Sequence, residues 1–151
     1  MDGCFPSTAH KGEFALLRVL HRCFDKGWIA SRPTKDCRYD LILDDGERLY
    51  RVQVKYVGRH ATKCQGAVNL DFTKGGKRNR RYSHDEVDAV VAYVAPADVL
   101  VWLGPEHFHN RRSIQLRYAP TLSGQKQGCL LVTSLCGDGV FRFLEPARLG
   151  R

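Results

Sequence analysis

Asp40, Gln53 and Lys55 are the residues best placed for chemistry in this chain, and all three lie in the segment DLILDDGERLYRVQVK, residues 40–55. Apolar and polar side chains alternate there on either side of Asp45-Gly46, a strong two-residue turn signal, which predicts a hairpin of strands 39–44 and 47–57. With Asp45 and Gly46 as the loop, Asp44 pairs with Glu47, Ile42 with Leu49 and Asp40 with Arg51. Successive side chains of a strand point to opposite faces. Asp40, Arg51, Gln53 and Lys55 therefore share one side, and Tyr50, Val52, Val54 and Tyr56 the other. Gln53 is then diagonal to Asp40, their Cβ atoms about 7 Å apart or somewhat less, so that a carboxylate and an amide can converge on one cation. A three-residue loop would reverse this alignment. A polar face is also what a solvated antiparallel pair shows, but here the opposite face is apolar and a helix upstream needs a surface to cover.

That helix is expected over residues 8–26, with Thr8 as its cap and Lys26-Gly27 at its end. Leu17, Leu20 and Phe24 recur at intervals of three and four, and four residues further back the same stripe reaches Glu13, which directs this carboxylate toward the core or its rim. A solvated Glu at a helix start is the alternative, since the macrodipole favours it. "WIASRP" reads as a short extended segment. "VNLDF" (68–72) and "SIQLRY" (113–118) read as strands, the second with Ser113, Gln115 and Arg117 on one side. Residues 88–103 are apolar on both faces and interrupted by Pro96, which predicts two buried strands joined by a tight turn. Beyond Pro120 the pattern does not separate strand from helix. The order implies an α/β or α+β fold in which a mixed β-sheet core is flanked by helices, the first of them covering the sheet.

The 151 residues suit one domain, taken as 1–151. No apolar run approaches the ~20 residues that span a bilayer, and no basic-then-apolar leader is evident; a cytoplasmic location is expected. Cys4, Cys23, Cys37, Cys64, Cys129 and Cys136 form no Cys-x-x-Cys knuckle and are expected as thiols. A net charge of +8 suggests a polyanionic partner. The charge concentrates in "KGGKRNRR" (74–81), where five of eight residues are basic and none is acidic. Such a segment suits a phosphate backbone, because neutralising it releases counterions; a solvated basic loop is the plainer reading.

The segments "KGEFALLRVL" and "CRYDLILDDGERLYRVQVK" together resemble the nuclease core of the PD-(D/E)XK superfamily: an acid on the first helix, an Asp at a strand start, then acid-x-Lys on the next strand, here with Gln in place of the second acid. With "YSHDEVDAVVAYVAPADVLVWLGPE" and "SIQLRY", the chain is most similar to the group I intron-encoded homing endonucleases of PD-(D/E)XK type from cyanobacteria. The similarity covers roughly residues 10–118 and leaves 119–151 as an extension for assembly or DNA contact. The family's Pro before the Asp is Tyr39 here.

The resemblance implies a restriction-endonuclease-like fold and a Mg2+-dependent, site-specific DNA endonuclease. Asp40 would bind the cation, and Gln53 would serve as neutral oxygen ligand or water-positioning group. Lys55 would orient or activate the attacking water and balance phosphate charge, and Glu13 would be a further acidic contributor and ligand. One or two Mg2+ ions per site are expected, with Ca2+ a non-productive substitute. Phosphodiester hydrolysis requires such charge, and oxygen ligands in a hydrated cage suit Mg2+. One acid fewer than a two-acid site implies weaker metal binding. Double-stranded DNA is the expected partner and a homo-oligomer the expected form, a tetramer built as a dimer of dimers ahead of a dimer. Lys74, Lys77, Arg78, Arg80 and Arg81 are the first candidates for DNA contact, followed by Arg111, Arg112, Gln115 and Arg117. A Holliday junction resolvase shares this core, and a non-catalytic DNA-binding module is the reading from another class. "HFHN" (107–110) with His84 lacks the spacing of an HNH nuclease, and "TKGGK" lacks that of a P-loop.

Overall fold

The computed structural model describes residues 7–58, 60–61, 64–74, 80–121, 123–124 and 130–135, without the side chains of His60 and Lys74. Helix α1 spans Thr8–Asp25. Its cap is Ser7, whose hydroxyl accepts the His10 amide at 3.2 Å, one residue before the expected Thr8. The buried face is Ala15, Leu16, Val19 and Cys23, whereas Leu17 is 55% and Phe24 84% exposed. Two stripes of helical period coexist in this segment, and the one with smaller side chains lies against the sheet. Because the Leu17-Leu20-Phe24 stripe is not the buried one, its extension to Glu13 leads to the surface.

Strand β1 (Ile29–Ser31) pairs with β2 (Leu41–Asp44), and β2 pairs with β3 (Leu49–Val57), both antiparallel. The β2–β3 loop holds four residues, Asp45 to Arg48, rather than two. Asp45 accounts for this: its Oδ1 accepts the amides of Glu47 and Arg48 at 2.9 and 2.8 Å, and its Oδ2 accepts the Tyr50 hydroxyl. Burial works against the ionised Asp45, but these bonds outweigh it and hold its carboxyl below the usual range. The register becomes Asp44↔Leu49, Ile42↔Arg51 and Leu41↔Val52. This differs from the expected pairing by two residues, so every side chain keeps its expected face. Gln53 falls across from Asp40 rather than diagonal to it.

From β3 the chain runs through β4 (His60–Ala61), β5 (Cys64–Asp71), β6 (Thr73–Lys74) and β7 (Arg80–Arg81). It then returns to the first sheet as β8 (Ala89–Val94), parallel to β3, and turns at Ala95–Ala97 into antiparallel β9 (Val99–Leu103). The first sheet has the order β1-β2-β3-β8-β9. The second has the order β11-β10-β5-β4, where β10 is Ser113–Arg117 and β11 is Leu130–Leu131, and a short helix α2 (Pro105–Phe108) precedes β10. β6 and β7 form a separate two-stranded ribbon.

Helix α1 packs on the face formed by Leu41, Leu43, Tyr50, Val52 and Val91. The other face of the same sheet, with Val90, Ala92, Val101 and Leu103, meets Val68, Leu70, Phe72 and Leu116 of the second sheet. Being covered on both sides, β8 is buried at all six positions, which is why its sequence does not alternate. The layers are helix, sheet, sheet: the mixed sheet core is as expected, but a second sheet takes the place of a flanking helix on one side. Among the described residues Cys23, Cys37 and Cys64 form no disulfide, and no helix is long and apolar enough to cross a membrane.

Candidate active site

Gln53 and Lys55 lie on β3 on the face away from α1, and Asp40 stands just before β2. Gln53 Nε2 donates to Asp40 Oδ2 at 2.6 Å and to the Val54 carbonyl at 3.2 Å. Asp40 Oδ2 also accepts the Val54 amide at 2.9 Å, a donor left without a strand partner where β2 ends. Gln53 is 9% exposed, so the acid and the amide are mutually oriented in a partly dry setting.

Lys55 Nζ donates to the Thr73 carbonyl at 3.3 Å and sits 5.2 Å from the centre of the Tyr82 ring. The Arg38 guanidinium lies 4.6 Å from the same ring and pairs with Glu86. Tyr82 is 1% exposed, and burial, against the Arg38 guanidinium and with the help of the Asp40 and Asp71 charges, pushes its hydroxyl up to about 12. Asp71 stays ionised: burial opposes its charge, but bonds from Thr73 and the fields of Lys55 and Arg112 hold its carboxyl below the usual range. Tyr82 and Asp71 were not singled out in the sequence. Their roles depend on β5 and β7 folding back over β3, and local patterning carries no trace of that.

A cleft of about 790 Å3 joins Asp40, Gln53 and Lys55 to Glu13, Asp36 and Asn69. Helix α1 packs on the sheet face formed by Leu41, Leu43 and Val52, and its Glu13 lines the same cleft as Asp40. Glu13 reaches only the rim, where Arg32 grips both its oxygens at 3.0 and 3.2 Å. Arg51 shares the face of Gln53 but is committed elsewhere: Asp88 accepts its Nε, its Nη2 and its backbone amide at 3.0, 2.9 and 2.7 Å. Burial disfavours the Asp88 anion, yet these bonds prevail and keep its carboxyl below the usual range.

The central donors are all hard oxygens: the Asp40 carboxylate, the Gln53 carboxamide and the Val54 carbonyl. Among the described residues no group of three or more His, Cys, Asp or Glu side chains converges as a metal site. This set fits a hard divalent cation that keeps most of its water and does not fit a soft, thiolate- or imidazole-bound metal. To serve such an ion the Gln53 amide has to present its oxygen where Nε2 now meets Asp40.

Of the basic residues expected at DNA, Lys77 and Arg78 and the side chain of Lys74 lie outside the described residues. Arg80 and Arg81 are exposed; Arg80 pairs with Glu86, and Arg81 donates to the Asn110 carbonyl at 2.9 Å. Arg111, Arg112 and Gln115 are exposed. Arg117 is not available. It is 8% exposed and donates to the carbonyls of Gln65, Ala119 and Pro120, because the chain after β10 folds over it. His84 and His109 do meet, their Nδ1 atoms 3.0 Å apart, far from the three-residue constellation an HNH site requires.

A search of curated proteins found no match. Among solved structures, a bacterial homing endonuclease, I-Ssp6803I, superimposes with a TM-score of 0.68 at 22% identity, covering 93% of this chain and 91% of its own. A Holliday junction resolvase, Hjc of Archaeoglobus fulgidus, gives a TM-score of 0.44 at 12% identity over 71% of this chain and 84% of its own. The sequence profile of the PD-(D/E)XK endonucleases matches residues 6–134. With that match running from before α1 to past β11, the chain belongs to the PD-(D/E)XK endonuclease family.

Proposed function

We propose that this nuclease is a site-specific endonuclease of the homing type, hydrolysing phosphodiester bonds of double-stranded DNA with a divalent metal, Mg2+ by preference. The observation that carries the reading is the meeting of Asp40, Gln53 and Lys55 in one cleft, the first two oriented by bonds to each other and to the β3 backbone and Lys55 by the Thr73 carbonyl. The likeness of fold to a bacterial homing endonuclease supports it.

Asp40 and Gln53 would hold the cation, with Glu13 contributing charge from the rim. When bound, the cation supplies positive charge against the scissile phosphate and its leaving oxygen. The Lys55 ammonium, held by the Thr73 carbonyl and the Tyr82 ring, offsets the charge that develops on the phosphoryl oxygens and orients the water that attacks. Asp40 fixes the rotamer of Gln53, and Asp88 keeps the Arg51 guanidinium away from both. One chain supplies one such site, so cutting both strands calls for at least two copies, a tetramer of paired dimers being the favoured form. The basic stretch 74–81, with Arg111 and Arg112, would hold the phosphate backbone.

The test is cleavage of plasmid and linear duplex DNA by wild type, Asp40→Ala and Lys55→Ala, with Mg2+ or EDTA, beside DNA binding in Ca2+. Cutting at discrete duplex sites is expected for wild type only, with binding retained by both variants. Wild-type turnover by either variant, or cutting confined to four-way junctions, overturns the assignment.

A further inference from the structure

We propose that Arg32 is a further substrate-binding residue: its guanidinium takes a backbone phosphate of the DNA inside the cleft, and Glu13 holds it until that phosphate arrives. The inference rests on the nuclease reading above and adds a phosphate contact at the site itself, apart from the basic stretch 74–81.

The first observation is the charge of the cleft. Its described lining carries three acids, Glu13, Asp36 and Asp40, against three bases, Lys11, Arg32 and Lys55. The acids repel a phosphate until a cation and the bases offset them, so each base counts. Lys55 is held by the Thr73 carbonyl and the Tyr82 ring, and the Lys11 ammonium stands 6.0 Å from the centre of the Tyr56 ring. Arg32 is the one arginine among these lining residues. Its planar fork offers two parallel donors that match two phosphoryl oxygens, which an ammonium does not.

The second observation is how that fork is stored. Nη1 and Nη2 donate to different oxygens of Glu13, at 3.0 and 3.2 Å. A phosphate presents the same pair of acceptors and can replace the carboxylate with the fork unchanged. The Arg32 and Glu13 side chains are 56% and 49% exposed, and an ion pair so open to water is weak enough to exchange. The third is anchorage. Arg32 follows β1 directly and precedes Pro33, which restricts it to extended backbone, whereas Glu13 stands in the second turn of α1. Fork and keeper thus belong to different elements, and parting them breaks no bond within either. The exchange also leaves the Glu13 carboxylate to the cation, so that DNA and metal favour each other's binding.

The experiment measures affinity for duplex plasmid fragments in Ca2+ over a range of salt, with wild type, Arg32→Ala, Arg32→Lys, Glu13→Gln and the Glu13→Gln/Arg32→Ala double variant, beside their melting temperatures. Arg32→Ala is expected to reduce the slope of log Kd against log salt by about one, the loss of one phosphate contact. Arg32→Lys is expected to keep the slope. Glu13→Gln releases the fork and is expected to tighten binding by roughly two- to fivefold, with less gain once Arg32 is alanine. A merely structural ion pair would lower the melting temperature in both single variants and leave the salt slope alone. An unchanged slope in Arg32→Ala on every fragment, equal tightening by Glu13→Gln with and without Arg32, or a wild type that binds no duplex overturns the inference. The reduced slope in a protein whose wild type cuts nothing in Mg2+ leaves the phosphate contact standing and removes the nuclease reading.

Discussion

Replacing Gln53 by Glu restores the acid-x-Lys pattern and sets the two halves of the site against each other. Gln53 Nε2 now donates to Asp40 Oδ2 at 2.6 Å and to the Val54 carbonyl. A carboxylate in its place loses both donors and puts like charges in contact. Even at 4 Å, two unit charges with an effective dielectric near 20 repel by about 4 kcal/mol. The alternative is to protonate one of them, and holding a carboxyl of ordinary pKa neutral at pH 7 costs about the same, roughly 1.4 kcal/mol per pH unit. The Gln53→Glu variant without metal is therefore expected to be about 3–4 kcal/mol less stable than wild type at pH 7. At roughly 2–4 °C per kcal/mol for a chain of this size, the melting temperature falls by about 10 °C. Its folded state binds one proton more than its unfolded state, so the deficit shrinks as pH falls from 7 toward the carboxylate range. A divalent cation bound between the two carboxylates reverses the penalty, and Mg2+ is expected to raise the melting temperature of the variant more than that of wild type. Calorimetry or circular dichroism of both proteins in EDTA and in Mg2+, at pH 7 and 5, reads all of this. A variant as stable as wild type in EDTA, or no more responsive to Mg2+, refutes the juxtaposition of residues 40 and 53.

The remaining predictions concern the surroundings of these residues. Tyr82→Phe keeps the ring face beneath Lys55 and Arg38 and is expected to leave turnover within about threefold of wild type. Tyr82→Leu removes contacts each worth about 0.5–2 kcal/mol and is expected to lower kcat by roughly tenfold with KM little changed, in single-turnover cleavage assays. Asp88→Asn weakens the three bonds to Arg51 and is expected to cost about 1–2 kcal/mol in urea unfolding at pH 7, a figure reduced for partial exposure. Because the folded state depresses the Asp88 pKa, its stabilisation holds above the ordinary value of 3.8 and fades as pH falls below it. The difference between variant and wild type should accordingly vanish in acid.

Much of the site was legible because strand geometry is periodic. Asp40, Gln53 and Lys55 lie on one side as the alternation of 40–55 demands, and Pro96 together with the Val-rich runs marked the β8–β9 pair. The loop length was not legible, because Asp45-Gly46 signals a tight turn whether or not Asp45 also gathers the amides of Glu47 and Arg48. On α1, Leu17 and Phe24 are larger and more apolar than Ala15, Val19 and Cys23, yet the smaller set is buried. Only the sheet beneath decides how closely the helix approaches, and the place of Glu13 follows from that. Arg117 has the alternation of a surface residue, and its capture by three carbonyls depends on the path of the chain after Pro120. Tyr82 and Asn69 come to the cleft, and Asp71 to the neighbourhood of Lys55, from a second layer whose approach no local pattern records.

The length of the β2–β3 loop carries a rule of parity. Adding or deleting residues there in pairs slides Asp40 along its neighbour by a pleat and leaves it looking out toward the cleft. A single-residue change rolls β2 over and drives that carboxylate into the dry layer among Leu43, Val52 and the underside of the helix, where an unpaired anion is several kcal/mol out of place. Drift in this turn is thus counted in twos, and a nuclease with an odd step there would have to find its acid somewhere else.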